Sequence, residues 1–259
     1  MPYLLLLRHG QSQFNQDSKF CGWINAPLTE KGEEQASNTA LMIESHSLTR
    51  DIPLHLCVTS RLQRAVETSN IILQKMDRLD MDVIKTWRLN ERHYGSFQGK
   101  RKNEVLQEYG QEQYMYIRRA YNGCPPECDV TSDAYRDTLK IARFDNELKT
   151  HPELVPRCES LKMVIERLDP FWRNEILSTI KRNENVLCVT HGSVVRAMLK
   201  ILYELTEDEV EHLNIPNGMP ILIEIDAKTL KPVGKQWTYL EPEKARLEAE
   251  RVKLEGMNH

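Results

Sequence analysis

Two histidines stand where a packed core has little use for them. His9 lies in Arg8-His9-Gly10, directly after the apolar run 3–7, and His191 lies in His191-Gly192, directly after the apolar run 185–189. A strand-end imidazole is a poor packing residue, but its neutral ring, with an ordinary pKa near ~6.5, offers a nucleophilic nitrogen at neutral pH. One such histidine is weak evidence, and most are structural. A second, at the end of a separate run and again followed by glycine, makes coincidence a poor explanation. Arg8 and Arg64 add guanidinium groups, which grip phosphate oxygens in pairs. His9, His191, Arg8 and Arg64 together describe an anion site with a nucleophile.

The anion has further support. Residues 85–119 hold eight Lys/Arg against four Glu, a local excess of +4 in a chain whose net charge is −3. A solvated basic face is the bland reading, and a funnel for a small, densely anionic substrate is the functional one. Glu91 also has two readings, an ion pair with Arg92 or a general acid/base beside the nucleophile. Phosphoryl transfer needs positioning and positive charge more than special covalent chemistry. Arginines can supply that charge, so no metal is expected. His93 reads as structural.

Such a site needs a frame. The runs 3–7, 54–58 and 185–189 are apolar, end abruptly in polar residues and read as buried strands, with 219–226 as a last strand. Helical patterns fall at 33–43 behind a Thr29 cap, at 64–76 and at 193–205, the last apolar nearly all round. Ser160 caps a helix whose Leu161, Val164, Ile165 and Leu168 share one face, with Pro170 kinking it or opening the next turn. Thr206-Glu207-Asp208-Glu209 is a capping box. Strands alternating with helices predict an α/β fold, a mostly parallel central sheet flanked by helices on both faces. Ligands then bind at the carboxyl ends of the strands, where Arg8, His9, Arg64 and His191 fall. The reading is one domain over 1–259. Residues 121–158, rich in Pro, Asp, Cys and Thr, form an inserted lid segment. Residues 241–259 form a charged amphipathic tail whose helix ends in Gly256.

Composition narrows the class. With 259 residues, 40% hydrophobic and 28% charged, the chain has material for a full core. A negative net charge argues against nucleic acid as a partner. No run approaches the ~18 apolar residues of a membrane span, and the N-terminus lacks the features of a signal peptide. A cytoplasmic protein is the expectation. The six cysteines read as free thiols, and Cys124-Pro-Pro-Glu-Cys128 as two loop thiols rather than a zinc site. A homo-oligomer is compatible with all of this.

Arg8-His9-Gly10 with His191-Gly192 resembles the histidine phosphatase superfamily. The stretch Trp87-Arg88-Leu89-Asn90-Glu91-Arg92-His93-Tyr94-Gly95 resembles the signature of one branch, the 2,3-bisphosphoglycerate-dependent phosphoglycerate mutases. Phe20-Cys21-Gly22-Trp23, Tyr116-Ile117-Arg118-Arg119, Glu159-Ser160-Leu161 and Asn214-Ile215-Pro216-Asn217-Gly218-Met219-Pro220 extend the resemblance over nearly the whole chain. It implies interconversion of 3- and 2-phosphoglycerate through a phosphohistidine, primed by 2,3-bisphosphoglycerate, in glycolysis and gluconeogenesis. By resemblance, His9 is the nucleophile and Glu91 the acid/base. Arg8, Arg64 and His191 cradle the phosphoryl group, with Ser12 and Asn15 adding donors. Arg92, Tyr94, Lys102, Arg118 and Arg119 hold the far end of the substrate, and Cys21, Gly22, Gly192 and Ser193 complete the contacts.

Some positions depart from the family pattern. Cys21 stands where a hydroxyl is usual, Ser193 where the family has Asn, Asn217 where it has Thr, and Phe14 where it has Trp. The family's Arg-Tyr pair has no clear counterpart within 129–157. The mixture resembles diverged fungal paralogues of the mutase. Two other functions therefore stay open at this stage: a bisphosphoglycerate synthase or phosphatase, and a weakly active or non-catalytic phospholigand-binding paralogue. Gly22 favours the mutase, because the resembling synthase branch carries a bulkier residue there.

Overall fold

The computed structural model describes residues 1–254. Six strands, β1 (Tyr3–Arg8), β2 (Leu54–Thr59), β3 (Val83–Lys85), β4 (Asn185–Thr190), β5 (Ile221–Glu224) and β6 (Thr238–Tyr239), form one sheet in the order β3-β2-β4-β1-β5-β6. β1, β2, β3 and β4 run parallel, and β5 and β6 join antiparallel at one edge. The helices of the first half are α1 (Gln13–Gln16), α2 (Glu30–Ser45), α3 (Gln63–Lys75), α4 (Lys102–Tyr109) and α5 (Gln111–Arg119). Then come α6 (Asp133–Ala142), α7 (Asn146–Thr150), α8 (Leu161–Phe171), α9 (Leu177–Lys181), α10 (Gly192–Tyr203), α11 (Glu207–His212) and α12 (Pro242–Leu254).

The unbroken leucine run of β1 places the strand. Leu4 to Leu7 are each at most 1% exposed, as expected of a strand covered on both faces. Alternation then divides them. Leu4 and Leu6 pack with Val164 and Leu168 of α8 and with Val194 and Met198 of α10. Leu5 and Leu7 pack with Ala40 and Ile43 of α2 and with Ile72 of α3. Each buried leucine contributes about 1.5–3 kcal/mol over an exposed one, so the run fixes both layers.

Most expected elements are present. Thr29 Oγ1 accepts from Gly32 N and caps α2, Ser160 Oγ accepts from Met163 N and caps α8, and the Thr206–Glu209 capping box opens α11. Pro170 lies within α8, which runs one residue past it and then widens into a π turn over Trp172–Ile176. The last strand is shorter than 219–226, because Pro220 precedes it and the chain turns after Glu224. β3 and β6 are only three and two residues long, too short for a pattern, and α4 and α5 are not among the expected elements.

The 121–158 stretch holds more structure than its composition suggests. Ser132 and Asp145 cap α6 and α7. Ile141, Ala142, Leu148 and Val155 pack with Trp23, Leu62 and Trp87. Asp145 pairs with Arg61 at 3.0 Å, and Glu147 pairs with Arg88 and accepts from Trp87 Nε1 at 2.7 Å. Of the tail, α12 is described to Leu254, and the expected end at Gly256 lies outside the described residues. No helix among the described residues is long and apolar enough to cross a membrane.

Candidate active site

The β1–β4 register brings the two histidines together. Arg8 pairs with Thr190, so His9 and His191 leave the sheet at the same level, and His9 N donates to Thr190 O at 2.9 Å. Their ring centroids are 4.9 Å apart. Gly10 follows because α2 passes there: a Cβ on Gly10 would sit 2.3 Å from Gly32 O. His9 Nδ1 lies 2.6 Å from Gly10 O, a contact that requires a proton on Nδ1 and leaves Nε2 with its lone pair. Arg64 Nε donates to that Nε2 at 3.2 Å. Burial, then Arg64 and Arg8, push His9 well below its ordinary pKa, so the ring is neutral at neutral pH.

His191 is wholly buried and likewise pushed far down, first by burial and then by Arg64. Its Nε2 is 2.7 Å from Ser60 Oγ, and its Nδ1 has no partner among the described residues. Ser60 also accepts from Leu62 N, so its position is fixed from two sides.

Glu91 enters from a loop with its own scaffold. Arg167 donates to the carbonyls of Arg88 at 2.6 Å and Asn90 at 2.7 Å, and pairs with Glu159 at 2.6 Å. The same Glu159 carboxylate accepts from His93 N at 2.8 Å. Glu91 Oε1 accepts from Arg92 N at 2.8 Å and from Ser193 N, in the first turn of α10, at 3.2 Å. A helix N-terminus favours a negative partner of this kind.

Between these groups lies a cleft open to solvent. Arg8, His9, Asn15, Cys21, Gly22, Arg64 and Glu91 line it, as do Tyr94, Lys102, Arg118, Arg119, Gly192 and Ser193. Three expected residues are not on its walls. Ser12 is wholly buried and caps α1, exchanging hydrogen bonds with Asn15 rather than facing the cleft. Arg92 is also wholly buried: it donates to Gly123 O and Arg118 O, and lies 4.6 Å over the Tyr94 ring. It therefore braces Arg118 and Tyr94 from behind the wall, with its Nε unpartnered among the described residues. His191, the third, is wholly buried edge-on against the His9 ring, with only its Nδ1 left unpartnered among the described residues. Burial, the largest effect, raises the Tyr94 hydroxyl, but the charge of Arg92 and hydrogen bonds with Ser193 and Arg92 together hold the group below its usual value. The Cys21 thiol donates to Ile24 O at 3.3 Å, and burial pushes its pKa up.

The cleft also holds cations that the sequence pattern hid. Arg196 lines it and donates to Arg119 O at 2.6 Å and Val210 O at 3.0 Å. Burial and then Arg119 bring Arg196 down to about 9, and burial and then Arg118 bring Arg119 down to about 10. The signal for Arg196 was a charge set among apolar residues in α10, whose other charge, Lys200, lies near its C-terminal end. Lys19, Phe20, Leu213, Ile215 and Val252 of α12 also line the cleft. Among the described residues, Arg8 Nε, Arg92 Nε and Arg118 Nη1 are buried arginine donors with no hydrogen-bond partner. An unpaired buried donor costs about 1–3 kcal/mol, which an anion bound between these arginines would relieve. His93 is structural, with Nε2 on Thr138 Oγ1 at 2.9 Å and its pKa lowered to about 3, mainly by burial.

The profile of the histidine phosphatase superfamily (branch 1) matches residues 4–140 and 132–238. Phosphoglycerate mutase 2 of Saccharomyces cerevisiae is 37% identical over 297 residues, covering 98% of this chain and 95% of its own. The 2,3-bisphosphoglycerate-dependent phosphoglycerate mutase of Bifidobacterium longum is 40% identical over 98% of each chain. The phosphoglycerate mutase of Candida albicans is 39% identical over 99% of each. Among solved structures, phosphoglycerate mutase from Bacillus anthracis superposes with a TM-score of 0.63 at 19% identity, covering 97% of this chain and 96% of that one. A mycobacterial glucosyl-3-phosphoglycerate phosphatase gives 0.65 at 21% identity, covering 92% and 97%. At those identities the structures speak for the fold alone.

Proposed function

The chain belongs to the histidine phosphatase superfamily (branch 1), among the phosphoglycerate mutases, and from that premise we propose that it interconverts 3- and 2-phosphoglycerate through phosphorylated His9. The observation that carries the reading is His9 itself: a neutral ring, its Nδ1 proton committed to Gly10 O, with Nε2 beside Arg64 in a cleft of arginines. His9 Nε2 attacks the phosphorus of 2,3-bisphosphoglycerate, and the bond from phosphorus to the sugar-acid oxygen breaks. Glu91 gives that oxygen its proton. The hydroxyl of the bound phosphoglycerate then attacks phospho-His9, and Glu91 takes the proton back. Its Oε1 is held by two backbone N–H groups, which leaves Oε2 to carry the proton.

Charge on the transferring oxygens is met by Arg8 Nε, Arg64 and His191 Nδ1, the last carrying a proton when Ser60 donates to Nε2. Asn15 adds a donor to the transferring group, and Lys102, Arg118, Arg119 and Tyr94 hold the carboxylate and second phosphate at the far side of the cleft. With this many guanidinium groups no metal is required, and EDTA should leave turnover intact. A cytoplasmic location goes with this reaction.

Brief incubation with 2,3-bisphosphoglycerate, followed by intact-mass measurement, tests the proposal. A lasting species about 80 Da heavier, one phosphoryl group, supports the mutase. Rapid release of inorganic phosphate with no lasting adduct would mark a phosphatase, and neither adduct nor phosphate a binding protein.

A further inference from the structure

We propose that Cys124 and Cys158 are a peroxide-responsive dithiol, converted by hydrogen peroxide into a disulfide that straps the 123–128 segment to the chain beside Glu159. The two sulfurs are 3.2 Å apart although 34 residues separate them. Cys21, Cys57, Cys128 and Cys188 are buried, whereas Cys124 and Cys158 are only half-buried. The two thiols that solvent reaches are thus the two that face each other.

The surrounding backbone already aligns them. Cys128 N donates to Arg157 O at 2.9 Å, Arg157 Nε donates to Cys128 O at 3.2 Å, and Arg157 pairs with Glu127 at 2.8 Å. On the other side, Ser96 N donates to Pro126 O at 2.9 Å, and Arg92 Nη1 donates to Gly123 O at 3.2 Å. A strap here would therefore brace the 92–96 turn from both flanks, since Glu159 N donates to His93 O at 2.9 Å. The bridge does not depend on which phosphorylated substrate the cleft takes.

The chemistry divides between the sulfurs. The hydrogen bond shared with Cys158, helped by Arg92 against desolvation, brings Cys124 down to about 7, and the same contact raises Cys158. Thiolate character marks Cys124 as the attacking group. Its sulfur attacks one oxygen of hydrogen peroxide, the O–O bond breaks, and Cys124 becomes a sulfenic acid while hydroxide leaves. Cys158 sulfur then attacks the sulfenic sulfur, the S–S bond forms and the S–O bond breaks. The oxygen departs as hydroxide, and the Cys158 thiol proton, together with the proton that Cys124 gave to solvent on forming its thiolate, turns the two hydroxides into water. The dithiol loses two electrons and the peroxide becomes two waters. Cys128, buried with its sulfur 3.2 Å from Ser132 Oγ, is the competitor left out.

The test treats the full chain with dilute hydrogen peroxide, alkylates it under denaturing conditions and maps the peptides. The expected result is the loss of two alkylatable thiols, a Cys124–Cys158 cross-linked peptide reversed by dithiothreitol, and a Tm several degrees higher than that of the reduced chain. Cys128→Ser should keep the bridge and the Tm gain. Cys124→Ser should lose both, and Cys158→Ser should stop at a sulfenic acid on Cys124, trapped by dimedone. A bridge that maps to Cys128, or oxidation that only adds oxygen to separate cysteines, would overturn the assignment. A bridge that leaves Tm unchanged or lowers it would overturn the strap.

Discussion

Arg64 Nε lies 3.2 Å from His9 Nε2, the ring nitrogen left without a proton once Nδ1 faces the Gly10 carbonyl. The guanidinium is itself fixed, donating through Nη1 to Ile24 O at 3.2 Å and through Nη2 to Gly22 O at 2.9 Å. It therefore does two jobs with one placement: it keeps a proton off His9 and waits at the position of the incoming phosphoryl group. Arg64→Met should slow phosphorylation of His9 by about 10²–10³, the usual cost of one transition-state donor. The acid limb of kcat/KM should also move up towards the ordinary histidine value, because a positive charge that lowers His9 is gone. A slower enzyme with an unmoved acid limb would show that Arg64 acts on the phosphoryl group alone.

Acid should weaken the fold through the same histidines. His9, His93 and His191 all have pKa values below that of an unfolded histidine, with His93 near 3. Below the unfolded pKa the unfolded chain binds protons that the native chain refuses. Stability is therefore full above ~6.5 and falls as pH drops from there towards the folded values. From about pH 6.5 to about pH 5 each such group costs about 2 kcal/mol. Urea midpoints across that range should give a slope of about three protons from these residues, and His93→Asn should reduce it by one. An unchanged slope in that variant would show that His93 accepts a proton in the native state.

Much of this was legible in the sequence, and the reason is geometric. A parallel strand buried on both faces must be apolar until it ends, so Arg8-His9 and Thr190-His191 mark their own strand ends, and the sheet register then joins them. Caps were legible for a similar reason, since Thr29, Ser160 and Thr206 each satisfy a local N–H. What the sequence hid is what tertiary contacts decide. Ser12 looks like a phosphate donor and is a cap, and Arg92 looks like a ligand and is a buried brace for Arg118. Arg167 and Glu159, which hold the Glu91 loop, lie 68 or more positions from Glu91, so no local pattern could show the contact. The 121–158 stretch forms α6 and α7 because Trp23, Leu62 and Trp87, all distant in sequence, give their few apolar residues a surface.

Gly22 couples backbone conformation to Arg64. Its φ is +52°, and a Cβ there would sit 2.0 Å from Gln98 Oε1, which accepts from Trp23 N at 2.7 Å. Gly22→Ser should therefore displace Gln98, shift the Gly22 carbonyl that holds Arg64, and slow His9 phosphorylation by about 10-fold or more. Gly110→Ala is the control. Its φ of +73° and ψ of 161° lie in a region essentially confined to glycine, and no described residue comes within 4 Å of a Cβ, so it carries strain of about 1–3 kcal/mol without the contact. Urea midpoints should fall in both variants and phosphorylation only in the first. Equal kinetic losses would assign the effect to strain in general.

Glu91 separates proton transfer from site organisation, because its carboxylate faces both tasks. Oε1 accepts from Arg92 N and Ser193 N, and so ties the loop to the start of α10. Glu91→Gln keeps an acceptor oxygen for those two donors but cannot move a proton. Transfer between His9 and a phosphoglycerate hydroxyl should fall by about 10²–10⁴. Binding should change far less, since Arg118, Arg119 and Lys102 line the cleft independently of Glu91. Phosphorylation of His9 by 2,3-bisphosphoglycerate should suffer as well, because a strongly basic alkoxide leaves and needs the proton. With p-nitrophenyl phosphate the departing phenolate is stable without one, so the same step should be nearly indifferent to the substitution. Rapid-quench measurement of phospho-His9 with each donor gives the comparison. Equal losses with both would mean that the carboxylate serves through its hold on Arg92 and Ser193, and that the proton travels by another route.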